Sequence, residues 1–124
     1  MNGAPLVSVI VNCFNSEKTI LRAVNSILSQ TFTNLEIIVW DNDSADSTRD
    51  IVSSIHDARV KLFKSNKTVS LGIARNFAVN EARGKFMAFC DSDDWWEPFK
   101  LNDQLHFLDG SRYSFVCSDF KIVN

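Results

Sequence analysis

Short runs of adjacent apolar residues alternate along the chain with stretches where apolar residues return every three or four positions. The runs Leu6 to Val11, Leu35 to Trp40, Val60 to Phe63 and Phe86 to Cys90 have the length and make-up of strands. Leu35 to Trp40 is apolar almost throughout, the mark of a strand covered on both faces. Tyr113 to Val123 supplies a final strand. Between the runs, four apolar stripes at helical spacing predict helices. They are Ile20, Leu21, Val24, Ile27 and Leu28; then Ile51, Val52 and Ile55; then Leu71, Ala74, Phe77, Ala78 and Ala82; and last Leu101, Leu105 and Leu108. Ser16 is placed to cap the first helix, with Glu17 against its positive end. Gly84 is placed to end the third helix, Pro98 to open the fourth and Gly110-Ser111 to break it.

Strict β-α alternation predicts an α/β fold of three layers, α/β/α, built on a mainly parallel, doubly wound sheet. Such sheets bind ligands outside the carboxyl ends of their strands. Asn12 to Asn15, Asp41 to Asp46 and Asp91 to Asp94 all fall there, so the pattern itself points to a site. Polar loops without a ligand also occur at such ends.

Composition narrows the class. At 124 residues the chain has room for one domain, residues 1–124, and a 45% hydrophobic content suits a packed core. A net charge of -2 speaks against a nucleic-acid partner, which would call for a basic surface. Neither a membrane-spanning run nor a secretory signal is present, and the expected location is cytoplasmic. Cys13, Cys90 and Cys117 are odd in number and far apart, as reduced thiols would be.

The chemistry concentrates at Asp91-Ser92-Asp93-Asp94, three carboxylates in four residues at the mouth of an apolar run. Two such charges about 4 Å apart repel by roughly 1 kcal/mol even in water. A hard divalent ion with oxygen ligands, Mg²⁺ or Mn²⁺, relieves that repulsion and commonly shares its shell with phosphates. The alternative is an Asp-rich turn in which Asp94 caps the next helix. A dinucleotide fingerprint, a P-loop, an EF-hand and a phospho-aspartyl receiver all fail on residues at the required positions. His56 and His106 stand alone on helices, and no Ser-His-Asp arrangement can be drawn.

Five linked blocks resemble the large inverting family of GT-A-fold glycosyltransferases, the family 2 type. They are Val7 to Asn15; Ser29 to Phe32; Leu35 to Ser44 with Asp46 and Thr48; Gly72 to Asn76 with Ala82 to Phe86; and Asp91 to Asp94. The resemblance implies a donor-binding portion for a nucleotide-diphosphate sugar, UDP- or dTDP-linked. It places Asn12 and Phe14 beside the base, with Phe14 as a stacking platform. Asp41 and Asn42 stand where the family has a pair of acids, the second reading the base edge. Asn42 keeps a carbonyl acceptor for a uracil or thymine ring N–H but lacks the charge. Arg75 would face base or phosphate.

Asp91-Ser92-Asp93 is similar to the family's Asp-x-Asp, with Asp93 reaching the metal and Asp91 the ribose or the metal's waters. Asp94 would lie behind them, and Trp95 and Trp96 would wall the sugar. The family's general base lies further along than Asp94, and Asp119 does not match its position. The resemblance therefore implies a donor-binding half that stops before the acceptor-binding part, with little transfer of its own. The acceptor would be a glycan or lipid-linked, the protein could sit peripherally at the inner membrane face, and uncovered apolar surface would allow a homo-oligomer. A non-catalytic nucleotide or nucleotide-sugar binding module is the other reading of the same residues.

Overall fold

In the computed structural model, which describes residues 3–108, 110 and 112–123, four parallel strands form one sheet in the order β3-β2-β1-β4. They are β1 (Val7–Cys13), β2 (Leu35–Asp41), β3 (Val60–Lys64) and β4 (Phe86–Phe89). The helices are α1 (Ile20–Leu28), α2 (Thr48–Ser53), α3 (Leu71–Asn80) and α4 (Lys100–Leu108). Val7 pairs with Leu35 on one side and Phe86 on the other, so β1 is the central strand.

The side-chain alternation of β1 and β2 sorts the helices. Val7, Val9, Val11, Leu35, Ile37 and Val39 face one core with Ile20, Val24 and Ile27 of α1, Val52 of α2 and Leu101 of α4. Ile10 and Ile38 face the other layer and meet Ala78 of α3. The chain builds β1, β2 and β3 in one direction and then returns to the far side of β1. Right-handed crossovers put helices reached in opposite directions on opposite faces. The three-layer α/β/α expectation holds.

Several details differ from the sequence pattern. Leu21 is half exposed, and α1 uses Ala23 in its buried stripe instead. On α3 the buried residues are Ala74 and Ala78, whereas Leu71 is 56% and Phe77 41% exposed. Small side chains let that helix approach the sheet closely and turn its larger residues to the rim. Strand β4 lies at the sheet edge, so Met87 and Phe89 on its second face stay about half exposed. Tyr113 to Val123 is not a strand: its residues have irregular backbone, and Phe115, Phe120 and Ile122 are exposed. Apolar content there satisfies the strand pattern, but no neighbouring strand pairs with it among the described residues.

Ser16 does not cap α1 either. The helix starts at Ile20, and the Ser16 carbonyl accepts from Thr19 and Ile20 in a preceding turn. Gly84 likewise lies beyond the end of α3, whose C-cap is Glu81. Its role is close approach. A Cβ at Gly84 would stand 2.6 Å from the Ser8 backbone nitrogen.

A buried polar knot explains that approach. The Ser8 hydroxyl donates to Glu36 Oε1 at 2.7 Å and accepts from the Gly84 N–H at 2.8 Å. Glu36 also accepts from the Arg83 N–H and from Lys61 Nζ, each at 2.7 Å. Burial alone would push the Glu36 carboxyl up. The bonds from Lys61, Ser8 and Arg83, with the Lys61 charge, prevail and hold it below its usual range. The knot ties the entry of β4 to β1 and β2, and so fixes where the acidic loop emerges.

Candidate functional site

Because all four strands are parallel, their carboxyl ends share one edge, and the direction of winding switches between β1 and β4. The strand-end loops diverge at such a point and leave a crevice. A cleft of about 700 Å³ opens there. Of the residues singled out from sequence, the structure brings Asn12, Phe14, Arg75, Asp91, Ser92 and Asp93 into its lining. Asp41 and Asn42 lie outside that lining.

The floor is made rigid by a lacing of the loops after β1 and β2. Asn15 adopts a left-handed φ of 49°, which lets its N–H donate to Ser44 Oγ and its Oδ1 accept from the Ala45 N–H, both at 2.8 Å. Ser16 N–H donates to Thr48 Oγ1 at 2.8 Å, and the Glu17 N–H to Asp46 Oδ2 at 3.2 Å. Glu17 in turn accepts from the Ser47 N–H at 3.0 Å. Asp41 is fully buried beneath this lacing. It accepts from the Ser44 N–H and hydroxyl and pairs with Arg49 Nε at 3.4 Å. Asn42 is committed to the loop before α3, with Nδ2 donating to the Val69 carbonyl at 2.7 Å and Oδ1 accepting from the Val69 N–H at 2.9 Å. Both residues shape the loops from behind.

Two groups at the cleft remain available. The Asn12 Nδ2 is buried without a hydrogen-bond partner among the described residues. An unmet buried donor costs about 1–3 kcal/mol, so a ligand acceptor there would be rewarded. Phe14 is 49% exposed and offers a ring face. Arg75 comes from α3, with its guanidinium over the Phe89 ring at 5.8 Å. Ser16, read from sequence as a helix cap, and Asp46 of the second loop also line the cleft, as does Lys18, which was not singled out from sequence. Lys18 looked like an ordinary helix-start charge, and only the turn at residues 16–19 carries it to the rim.

The opposite wall is the acidic loop. One oxygen from each of Asp91, Asp93 and Asp94 lies within 4.8 Å of the others. The Asp94 carboxyl is pushed up by burial and then by the charges of Asp93 and Asp91, with Arg22 acting the other way. Such crowded, solvent-facing oxygens fit a hard divalent ion that keeps several waters. Asp94 does not cap α4, which begins at Lys100. Ser92 Oγ lies 2.9 Å from Ser16 Oγ and links this wall to the floor. Trp96 belongs to the core, not to a sugar wall, while Trp95 is on the surface beneath Arg22. Cys90 is buried, and burial followed by the charges of Asp94 and Asp91 pushes its thiol up to about 12, which disfavours the thiolate form.

The family model for glycosyl transferase family 2 matches residues 8–124. Among curated relatives, the Escherichia coli UDP-Glc:alpha-D-GlcNAc-diphosphoundecaprenol beta-1,3-glucosyltransferase WfaP is 41% identical over 94% of this chain and 47% of its own length. The putative teichuronic acid biosynthesis glycosyltransferase TuaG of Bacillus subtilis is 38% identical over 98% of this chain and 49% of its own. The chain thus spans about half the length of these relatives. Among solved structures, S. aureus TarS 1-349 in complex with UDP-GlcNAc superposes with a TM-score of 0.75 at 36% identity, over 78% of this chain and 29% of that one. The mannosyltransferase PcManGT of Pyrobaculum calidifontis, in complex with GDP-Man and Mn2+, gives 0.67 at 27% identity, over 76% and 29%.

Proposed function

The chain belongs to glycosyl transferase family 2, and from that premise we propose that it forms the donor-binding half of a metal-dependent, inverting sugar transferase. The observation that carries this reading is the meeting of Asn12, Phe14 and Arg75 with the three-carboxylate cluster across one cleft. A nucleotide-diphosphate sugar needs those three environments in a row. Phe14 gives the base a stacking face, and the Asn12 amide gives a carbonyl of the base or a ribose hydroxyl a donor. Arg75 and Lys18 meet the diphosphate. Asp93 and Asp91 hold Mg²⁺ or Mn²⁺, which supplies Lewis-acid stabilisation of the departing diphosphate.

A uridine donor, or the closely similar thymidine, is favoured by two similar proteins. The name of WfaP carries UDP-Glc, and TarS has been solved with UDP-GlcNAc. The acceptor would be glycan or lipid-linked, in keeping with the diphosphoundecaprenol in the name of WfaP. No helix among the described residues is long and apolar enough to cross a membrane.

A thermal-shift panel of UDP, TDP, GDP and ADP, each with and without Mn²⁺, tests this reading. A ligand at 100 times its Kd adds about 2.7 kcal/mol, which for a domain of this size raises Tm by roughly 8–15 °C. UDP or TDP with Mn²⁺ is expected to give the largest rise. A preference for ADP, or shifts indifferent to the metal, would overturn the placement of the base and of the ion.

A further inference from the structure

Arg22 and Ser26 on α1, and Gln30 just beyond its end, recur every four residues and so share one side of the helix line. Each grips the irregular segment that leaves the acidic cluster, in chain order. Arg22 Nη2 donates to the Asp93 main-chain carbonyl at 3.1 Å, and its guanidinium lies 4.2 Å from the centre of the Trp95 ring. Ser26 Oγ accepts from the Trp96 N–H at 3.0 Å. Gln30 Nε2 donates to the Glu97 carbonyl at 2.8 Å, and its Oε1 accepts from the Leu101 N–H at 3.1 Å. Residues 94–97 belong to no helix or strand, so their main chain depends on such anchors.

Resting on the metal reading above, we propose that this polar stripe is a positioning device: Arg22 and Ser26 hold the main chain after the acidic cluster so that its carboxylates stay gathered for a divalent ion. Three like charges on an untethered loop would spread apart, and binding would then have to bear the cost of ordering them. Gln30 is almost wholly buried and also ties down α4, so its loss would disturb the fold at large. Arg22 and Ser26 are separable from it. Arg22 is exposed, and alanine is the better helix former at position 26.

Electrostatics alone predicts the opposite sign for Arg22. Removing a cation beside three carboxylates should tighten the binding of Mn²⁺, whereas losing an anchor should loosen it. Ser26→Ala changes no charge and so isolates the anchoring effect. Mn²⁺ titrations in the presence of UDP, on the parent chain, Arg22→Ala and Ser26→Ala, therefore decide the matter. The half-saturating Mn²⁺ concentration should rise about threefold to tenfold in each variant, as expected for one hydrogen bond. UDP affinity without metal should stay near the parent's, as should the thermal midpoint of Arg22→Ala. Ser26→Ala, which leaves the Trp96 N–H without its acceptor, should melt a few degrees lower but remain folded. Unchanged or tighter Mn²⁺ binding in both variants would overturn the proposal. Asp93→Ala serves as the control: if it keeps Mn²⁺-dependent UDP binding, the metal reading fails instead.

Discussion

Asp93→Ala is expected to abolish Mn²⁺-dependent binding of UDP while the chain stays folded. Losing an outer partner of a metal ligand already costs about 10–100-fold, and losing a ligand should cost no less. The fold should tolerate the change for two reasons. Asp93 is exposed, and the bond it receives from Arg22 goes to its main-chain carbonyl, which alanine retains. Removing its charge also relieves Asp94, whose carboxyl is pushed up by burial and then by Asp93 and Asp91. A carboxyl held above its ordinary range opposes folding once the pH exceeds its unfolded value. The variant should therefore be as stable as the parent at neutral pH, or slightly more so. Isothermal titration with UDP and Mn²⁺, alongside a thermal melt, checks both halves. Binding with parent affinity would remove Asp93 from the metal site, and a large drop in Tm would assign it a structural role.

Gly84→Ala should be the most destabilising of the four glycine-to-alanine changes, since the other three glycines have nothing within 4 Å of an added Cβ. The new Cβ would lie 2.6 Å from the Ser8 nitrogen and 2.9 Å from the Val7 carbonyl carbon, both backbone atoms of the central strand. Neither can yield without shifting β1 against β2 and β4. Overpacking that a side chain could absorb costs about 1–3 kcal/mol, and a backbone clash belongs at or above the top of that range. The displaced turn would also stretch the bonds that Gly84 and Arg83 make to Ser8 and Glu36. With a urea m-value of roughly 1–3 kcal/mol/M, the denaturation midpoint should fall by about 1 M or more. A midpoint unchanged from the parent would show that the turn relaxes freely, and that Gly84 does not fix the entry of β4.

Where one physical effect dominated, the fold could be read from the chain. Val7, Val9 and Val11, with Ile37 and Val39, carry enough apolar β-branched surface to name β1 and β2 as buried strands without ambiguity. The order of strands and helices then fixed the layers, and with them the edge on which loops would gather. Tyr113 to Val123 misled because apolar content marks only a readiness to pair, while a strand also needs a neighbour to bond. Gly84 misled for a related reason. A glycine after a helix suits a C-cap locally, and only the position of Ser8, far away in sequence, shows that close packing is its purpose.

The site divides in the same way. Asn12, Phe14 and Asp91 to Asp93 could be placed at the cleft from sequence because each follows directly on a buried apolar run whose carboxyl end had to open there. Asp41 and Asn42 look identical in sequence to ligand-facing polar residues. Their engagement with Ser44, Arg49 and Val69 depends on loop geometry that no spacing reveals. The stripe of Arg22, Ser26 and Gln30 reads as the ordinary polar side of an amphipathic helix until the segment beyond Asp93 is laid against it.

The claim on which everything above turns is that a nucleotide diphosphate and a divalent ion meet at the carboxyl ends of β1 and β4. Paramagnetic broadening of amide NMR signals by substoichiometric Mn²⁺, in the presence of UDP, tests it most directly, because the effect falls off steeply with distance from the ion. The account predicts selective loss of the signals of Asp91 to Asp94, with weaker loss for Asn12 to Ser16 across the cleft. The signals of Asn34, Arg59 and Lys61, at the opposite edge of the sheet, should persist. Uniform broadening, or loss centred on that opposite edge, would contradict it.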